Sequence, residues 1–435
     1  MNSKELREAR GRLEAFVDPL LPLLGRVERR YWGVFYLQGL LLEGGRKTAA
    51  GMAERYGGNE QNLQQFVNQS PWNWMSLRRE LAVLMGKEAG SRVAWVLDDT
   101  GFPKKGRHSV GVTRQYSGTL GKVGNCQIGV SLNYATDEGC FPIDFQLYLP
   151  KSWTDDPARC RKARIPETVT FKRKWELGLE MIDRARDWGL PEGVVVSDAG
   201  YGVATKFRAG LRRRKIQYMV GITAEVGVWQ QEVHLIPPLY QGRGRPRTRF
   251  YDLPSPQSVL EVAKDLPAES WCEVTWRQGT KGPLTSRFCA TRAQPSHGHA
   301  HGKVTEPMQW LLIEWPSDQP KPTKFWLSSL PDDTPLRELV SWAKIRWWVE
   351  QNYQQLKQEV GLDHFEGRSW IGWHHHVTLA MMAFDFLVLE GFRIKKNFWV
   401  DPPTCQTRTP ARSHRTPWLL PDVSANSVVG GYITK

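Results

Sequence analysis

The chain has 435 residues, of which 40% are hydrophobic and 24% are charged, and its formal net charge is +14. This length allows two or three domains with cores of their own. The excess of positive charge favours a polyanionic partner, with nucleic acid first and an anionic membrane surface second. No stretch approaches the roughly 18 consecutive apolar residues of a membrane span, and the first residues are polar. We therefore expect a cytoplasmic protein that acts on nucleic acid and has no membrane partner.

The six cysteines are scattered along the chain without a C-x-x-C pair. This spacing indicates neither a zinc ribbon nor a disulfide framework.

Residues 1 to about 90 show the periodicity of short helices separated by glycine turns. An apolar pattern over 31–42 is closed by Gly44 and Gly45, and Asn59 is placed to cap a later helix. Short helices with tight turns resemble a helix-turn-helix arrangement, although helical bundles without a DNA role share this pattern.

Two apolar runs end in carboxylates. The run 93–97 is followed by Asp98 and Asp99, and the run 193–197 is followed by Asp198 and by glycines. Each pattern predicts a buried strand that delivers an acid to its carboxyl end, where open α/β sheets carry out chemistry. Successive strand side chains point to opposite faces, so only one acid of the first pair faces a site and is a candidate metal ligand.

The region between the two acid strands is β-like and then helical. Three runs within 109–149 alternate as antiparallel strands do, and an amphipathic helix is predicted over 170–188. A basic loop with Lys104 and Lys105 precedes the first run. It is either a solvated surface loop or a phosphate contact beside the acid-bearing strand.

Residues 223–330 interrupt the α/β rhythm with strand-like runs, which suggests a β-rich insertion. Arg243 and Arg245 belong to a flexible cationic piece that either enters a minor groove or is a plain basic loop. A histidine-rich tract at 297–301 favours a mobile loop over a metal site, because it has glycines and no neighbouring acids.

A third acid is predicted on a helix that runs from Pro335 to Val360. One stripe of this helix is apolar, and a second stripe consists of Arg346, Glu350, Tyr353 and Lys357. This second stripe combines two cations with a carboxylate and a phenol. Such a face could bind a DNA phosphate and a metal ion together. The alternative interpretation is a solvent-exposed helix face with salt bridges, which is the commoner reason for such a pattern of charges.

The three acids together suggest a metal site for a reaction at phosphorus. Mg²⁺ takes oxygen ligands, and two such ions roughly 3.5 to 4 Å apart would activate the attacking oxygen and stabilise the leaving one at phosphorus. Mn²⁺ can substitute. Asp99, Asp198 and Glu350 are far apart along the chain, so only the tertiary fold could bring them together.

Four motifs carry a resemblance to a known family. They are DDTGFPKKG (98–106), YLPKSWTDD (148–156), DAGYG (198–202) and GLDHFEGRS (361–369). In this order they resemble the DDE transposases of bacterial insertion sequences, specifically the insertion-sequence 701 family within the insertion-sequence 4 group. The resemblance covers about residues 20–390. It implies an α/β fold with an RNase-H-like catalytic core, a β-rich insertion and an N-terminal helical domain. It also implies cut-and-paste transposition, in which metal-dependent cleavage at the element's ends precedes attack of the freed 3′-hydroxyl on target DNA.

The resemblance assigns the catalytic and metal-binding acids to Asp99, with Asp98 as the alternative, to Asp198 and to Glu350. The group's signature of Tyr, Arg, Glu and Lys on the third-acid helix is matched by Arg346, Glu350 and Lys357, whereas Ala343 stands at the Tyr position. Tyr353 is the candidate substitute on the same face. Relatives stack a flipped base on a Trp of the insertion, for which Trp326 is the candidate by position, with Trp310 and Trp315 as equal alternatives.

The predicted organisation is a helical DNA-binding domain (1–90), a core in two parts (91–222 and 331–392), an insertion (223–330) and a flexible basic tail (393–435). The predicted partner is double-stranded DNA, both the terminal inverted repeats and the target, bound by a homodimer associated with the bacterial nucleoid. A metal-dependent nuclease and a catalytically silent DNA-binding derivative are the alternative functions.

Overall fold

We describe the protein from a computed structural model. It describes residues 3–88, 90, 92–137, 139–234, 240, 242, 254–279, 282–297 and 306–400. Within these ranges, no helix combines the length and the apolarity that crossing a membrane requires.

The helices of the described residues are α1 (Ser3–Val17), α2 (Val27–Leu41), α3 (Ala49–Tyr56), α4 (Glu60–Asn68), α5 (Trp74–Gly86), α6 (Lys151–Thr154), α7 (Pro157–Lys162), α8 (Lys174–Asp187), α9 (Ala199–Gly202), α10 (Thr205–Arg213), α11 (Val259–Asp265), α12 (Leu336–Lys344), α13 (Trp347–Gln358) and α14 (Trp370–Val400).

The strands of the described residues are β1 (Ala94–Pro103), β2 (Thr113–Ser117), β3 (Lys122–Ala135), β4 (Cys140–Leu147), β5 (Val194–Ser197), β6 (Tyr218–Ile222), β7 (Gly227–Trp229), β8 (Gln257–Ser258), β9 (Cys272–Gly279), β10 (Gly282–Pro295), β11 (Gln309–Trp315) and β12 (Lys324–Ser328).

The helices of the amino-terminal region begin and end where their capping residues predict. The side chain of Asn59 accepts the backbone amide of Asn62 at 3.0 Å and caps α4. Gly57 adopts a left-handed φ of 70° at the end of α3, a conformation that glycine enters without a Cβ penalty. The predicted helical character of this region is confirmed.

The chain divides into two compact units. The first comprises residues 1–92, 98–191 and 348–435, and the second comprises 93–97 and 192–347. Strand β1 therefore contributes its first residues to the second unit and its later residues to the first.

In the first unit, β3 pairs antiparallel with β2 and β4 and lies beside β1. Helix α8 packs on β3 and β4, and α14 packs on β4 and on α2, α4 and α5. This arrangement confirms the three predicted antiparallel strands and the helix predicted over 170–188. Helix α14 extends to Val400, so residues 393–400 of the predicted tail are helical.

In the second unit, β5 pairs in parallel with the first part of β1 and with β6. Strands β12, β11 and β10 continue the sheet with antiparallel pairing, and β9 and β7 both pair with β10. The strand runs predicted for the insertion are therefore present. Helix α12 packs on β5, β6, β9 and β10.

Two predictions about elements were wrong. Strand β1 does not end before its acids but continues to Pro103, and the amide of Lys104 still bonds the carbonyl of Asn125 on β3 at 3.0 Å. The helix predicted from Pro335 to Val360 is interrupted by a turn at Ile345 and Arg346, which separates α12 from α13.

Candidate active site

Asp99 lies in the middle of β1 and pairs with a cation from a distant part of the chain. The Nζ of Lys174 is 2.9 Å from Oδ2 of Asp99, and the two side chains are 32% and 21% exposed. The Asp99 carboxylate is therefore both solvent-accessible and bound to an ammonium group.

Asp98 faces the other way and is 7% exposed. Its Oδ1 accepts the backbone amide of Asp99 at 2.7 Å. Asp98 and Asp99 thus lie on opposite faces of β1, and the choice between them as the first acid stays a prediction.

Lys174 is held in place by the position of α8, of which it is the first residue. Its ammonium lies 5.9 Å from the ring centroid of Tyr148, the residue that follows β4. Cations at the amino end of a helix oppose the helix dipole, so Lys174 gains from a carboxylate partner outside the helix. Lys172, which lies just before α8, pairs instead with Glu180 of the helix itself, at 2.5 Å.

Asp198, in the second unit, follows β5 directly and caps α9. Its Oδ1 accepts the amide of Gly200 at 2.9 Å. A Cβ on Gly202 would lie 1.9 Å from the carbonyl oxygen of Gly221 on β6, so only glycine lets α9 pack this closely. The glycines that follow Asp198 in the sequence thus fix the turn that carries this acid.

Glu350 lies in the first turn of α13 and is exposed. Arg346 lies in the turn before α13 and not on the same helix, because the predicted long helix is broken there. The predicted apolar stripe is confirmed, since Trp342, Ile345, Val349 and Leu356 are all buried.

Lys357 connects α13 to β1. Its Nζ donates to the carbonyl of Gly101 at 2.8 Å and to Oγ1 of Thr119 at 3.0 Å. Burial lowers the pKa of Lys357 to about 8, an effect that the charge of Asp363 opposes. The lysine therefore holds α13 against the strand that carries Asp99, two residues from that acid.

The two lysines of the basic loop are in different environments. The Nζ of Lys104 donates to the carbonyls of Phe365 at 2.7 Å and of Asp363 at 3.4 Å. Burial lowers its pKa to about 8. Lys105 is exposed. Of the pair, Lys105 has the accessibility that a phosphate contact needs.

Tyr353 lies in the core of the first unit. Its hydroxyl is 2.6 Å from Oγ of Ser131, and its ring packs near Phe145. A phosphate contact by Tyr353 would require this hydrogen bond to break, and its DNA role stays a prediction.

Trp326 is a buried residue of β12, and the ammonium of Lys344 lies 5.6 Å from its ring centroid. The alternatives, Trp310 and Trp315, are half-buried and donate their indole N–H groups to the carbonyls of Pro331 and Gln319. The assignment of a base-stacking Trp stays a prediction. Arg243 and Arg245 lie outside the described residues.

The consecutive histidines of α14 are core residues. The ring nitrogens of His375 lie 2.9 Å and 3.0 Å from the carbonyl oxygens of Val67 and Trp72, which accept the N–H of the ring, and Nδ1 of His376 lies 2.9 Å from the hydroxyl of Tyr36. Burial lowers the pKa of His375 to about 4 and that of His376 to about 3.

The donor chemistry of the acids fits a divalent cation. Carboxylate oxygens are the ligands that hard ions prefer, and Asp99 already attracts a cation in the form of Lys174. Among the residues that the structure describes, no three His, Cys, Asp or Glu side chains are grouped so as to hold a metal ion. The joint role of Asp99, Asp198 and Glu350 as metal ligands stays a prediction.

A family model described as DDE superfamily endonuclease matches residues 19–283, which is more than half of the chain. The chain belongs to this family. The matched segment of the DDE endonuclease contains Asp99 and Asp198, whereas Glu350 lies beyond its end. The protein is similar to a probable transposase for insertion sequence element IS701 from Microchaete diplosiphon, with 27% identity over 358 residues, 81% of this chain and 80% of the relative.

The resemblance indicated by the motifs is thereby confirmed. DDE endonucleases cleave DNA by phosphoryl transfer, have RNase-H-like cores and generally depend on divalent metal ions. The predicted fold class is confirmed by the family and by the mixed α/β architecture.

The pairing of Lys174 with Asp99 could not be predicted from the sequence. Asp99 and Lys174 are 75 residues apart, and no local periodicity connects them. The available signal was the run of three cations, Lys172 to Lys174, at the amino end of a predicted helix. The helix dipole disfavours cations there, so such a run indicates acidic partners elsewhere.

Proposed function

We propose that this DDE endonuclease is a DNA transposase that cleaves the ends of its element and joins the freed 3′-hydroxyl to target DNA. The observation that carries the proposal is the similarity to the probable transposase over four fifths of both chains. The order of the four motifs around Asp99, Asp198 and Glu350 supports it.

The three acids have the same proposed role. Asp99, Asp198 and Glu350 would hold two divalent ions, Mg²⁺ or its substitute Mn²⁺. When bound, such ions supply Lewis-acid stabilisation of charge at the reacting phosphate. In the joining step, the 3′-oxygen forms a bond to the target phosphorus while the bond to the leaving 3′-oxygen breaks. Lys357 positions the first acid through the backbone of Gly101.

We propose that DNA phosphates are contacted by Lys105 and Arg346. Lys105 is exposed and suits a phosphate contact, and Arg346 lies in a turn where it is half-buried. The proposed partners are the terminal inverted repeats and target duplex, bound by a dimer of the protein.

A strand-transfer assay tests the proposal. Duplex ends made from DNA that borders the gene, already cleaved to expose the 3′-hydroxyl, are mixed with a supercoiled plasmid and Mg²⁺. We expect joined products from the wild-type protein and a loss of at least about 10³-fold from Asp99→Asn, Asp198→Asn and Glu350→Gln, because each removes a metal ligand. Asp187→Asn, a change at an exposed acid of α8, should leave joining unchanged.

Cleavage without joining would overturn the proposal in favour of a metal-dependent nuclease. Binding with neither reaction would favour a catalytically silent DNA-binding protein. Full activity in any of the three acid variants would remove that acid from the site.

A further inference from the structure

We propose that one face of the hairpin formed by β2 and β3 docks on duplex DNA, with Arg114 on the phosphates and the ring of Tyr116 against the sugars and bases of a groove. This inference rests on the proposed function in one respect, namely that the protein binds DNA. It assigns an interaction surface to a part of the chain that lies between the first two of the four motifs.

The hairpin carries two exposed apolar side chains next to each other. Tyr116 and Val123 are 63% and 55% exposed, and they are direct partners in the antiparallel register of β2 and β3. Among the described residues, five large hydrophobic side chains are exposed, and these two adjoin. Single exposed apolar residues are ordinary on a protein surface, whereas adjoining ones form a patch that a partner can cover.

Strand alternation puts Arg114 on the same face as this patch. Residues two apart on a strand share a face, and Arg114 is paired with Asn125, two positions from Val123. Arg114 and Tyr116 are both exposed, while the alternate residues of β2 are half-buried or buried. We call the face formed by Arg114, Tyr116, Val123 and Asn125 the docking face.

A second cation is held near the docking face by the backbone of the basic loop. The Nδ2 of Asn125 donates to the carbonyls of Lys104 at 2.6 Å and of Gly106 at 2.9 Å. Lys105, between these two residues, is exposed. Cations beside an exposed aromatic ring suit a DNA groove, because phosphates border the sugars and bases of the groove on both sides.

Charge favours DNA over a second copy of the chain as the occupant. Residues 100–136 contain five Lys or Arg and no Asp or Glu. In a symmetric dimer through β2, the same surface of both copies would meet, and its cations would face one another without carboxylates of this segment between them. A polyanion meets attraction at the same place, and a strand pair is an element that can enter a DNA groove.

The turn of the hairpin contacts the helix of the third acid. The Oγ1 of Thr119 accepts from the ammonium of Lys357 at 3.0 Å, and Glu350 lies in the first turn of the same helix, α13. DNA on the docking face would therefore lie beside the helix that carries an acid of the proposed function.

The experiment measures the binding of a labelled duplex of mixed sequence to the full-length protein by fluorescence anisotropy at several salt concentrations. We expect Tyr116→Ala to bind about tenfold more weakly than wild type, the size of effect that loss of one aromatic contact with a base has. Its salt slope should not change, because no phosphate contact is lost. Tyr116→Phe keeps the ring and should bind as wild type does. Arg114→Ala should make the slope shallower by about 0.9.

The matched control is Lys122→Ala, which removes one positive charge from the same hairpin. Lys122 is paired with Ser117 and so belongs to the opposite face, and the slope of this variant should match wild type. Thermal melting of each variant shows that it is folded.

Wild-type affinity of Tyr116→Ala, a wild-type slope for Arg114→Ala or an equally shallow slope for Lys122→Ala overturns the proposal. If Tyr116→Ala lowers the mass of the DNA-free protein in sedimentation and leaves DNA binding unchanged, the face is instead a contact between copies of the chain. The strand-transfer assay judges the proposed function separately. Joining by wild type with unchanged binding by the hairpin variants means that only the docking face is wrong. The expected losses of binding without joining by wild type mean that only the proposed function is wrong.

Discussion

At the scale of single residues, Asp385 shows how burial controls a charge. This residue of α14 is 0% exposed, and neither carboxyl oxygen has a hydrogen-bond partner among the described residues. Burial raises the pKa of Asp385 well above its ordinary value of 3.8. The folded protein therefore keeps a proton on this carboxyl at pH values at which the unfolded chain releases it.

We predict that Asp385→Asn stabilises the protein increasingly as pH rises. The folded state binds more protons than the unfolded state above pH 3.8, so wild-type stability falls as pH increases toward the folded pKa. The loss is about 1.4 kcal/mol for each pH unit in that window. Asparagine resembles the protonated acid and does not titrate. Urea unfolding of both proteins at pH 5 and pH 7 measures the difference.

The control for this prediction is Asp187→Asn, the same change at an exposed site. It should not give a gain that grows with pH. An advantage of Asp385→Asn that is equal at both pH values would contradict the prediction.

At the scale of elements, a buried ion cluster joins four parts of the first unit. Arg78 of α5 contacts Oδ1 of Asp144 on β4 at 3.1 Å, and Arg184 of α8 contacts Oδ2 at 2.6 Å. The Nε of Arg78 also donates to Thr378 of α14 at 2.8 Å. Burial lowers the pKa of Arg78 to about 10, and the charge of Asp144 opposes this effect.

We predict that Asp144→Asn destabilises the protein by about 3 to 5 kcal/mol, because it leaves the fully buried guanidinium of Arg78 without its counter-charge. Thermal or urea unfolding measures the loss. Glu14→Gln makes the same carboxylate-to-amide change at the exposed pair with Arg10, where we expect a loss below about 1 kcal/mol. Similar losses at the two sites would show that burial does not set the strength of this cluster.

Elements with regular periodicity were predictable from sequence, and elements shaped by tertiary contacts were not. Strands β9 to β12 and helix α8 followed their apolar patterns. The break at Ile345 and Arg346 contains neither glycine nor proline, so no local signal marks it. Helix α12 packs within the second unit, whereas Tyr353 of α13 packs against Ser131 in the first, and the chain passes from one unit to the other after Trp347.

For the candidate site too, some features were predictable from the sequence and others were not. Asp99, Asp198 and Glu350 could be predicted as candidate acids because each stands at a recognisable place in a strand or a helix. The pattern could not show that Tyr353 is buried or that Lys104 bonds backbone carbonyls, because these facts depend on which distant segment each side chain meets.

At the scale of the whole molecule, the net charge of +14 predicts strongly salt-dependent binding to duplex DNA. The logarithm of the binding constant should fall linearly with the logarithm of salt concentration, with a slope of about −0.9 for each phosphate contacted. Fluorescence anisotropy with a labelled duplex between 50 and 200 mM salt, roughly the range over which such binding weakens most, measures this slope.

We predict that Lys105→Ala makes this slope shallower by about 0.9, because one exposed phosphate contact is lost. Asp187→Asn alters the net charge by one without adding a contact, and its slope should match wild type. Equal slopes for Lys105→Ala and wild type would remove Lys105 from the DNA interface.

The three adjacent histidines of α14 have a practical consequence for handling the protein. With their rings packed against Tyr36, Trp72 and Trp74, they are inaccessible to an immobilised nickel chelate in the native state. Chain denatured in urea should therefore be retained more strongly than the native protein, because unfolding adds these three rings to the histidines outside the core. Retention beyond that of the native protein thereby reports misfolded material in a preparation.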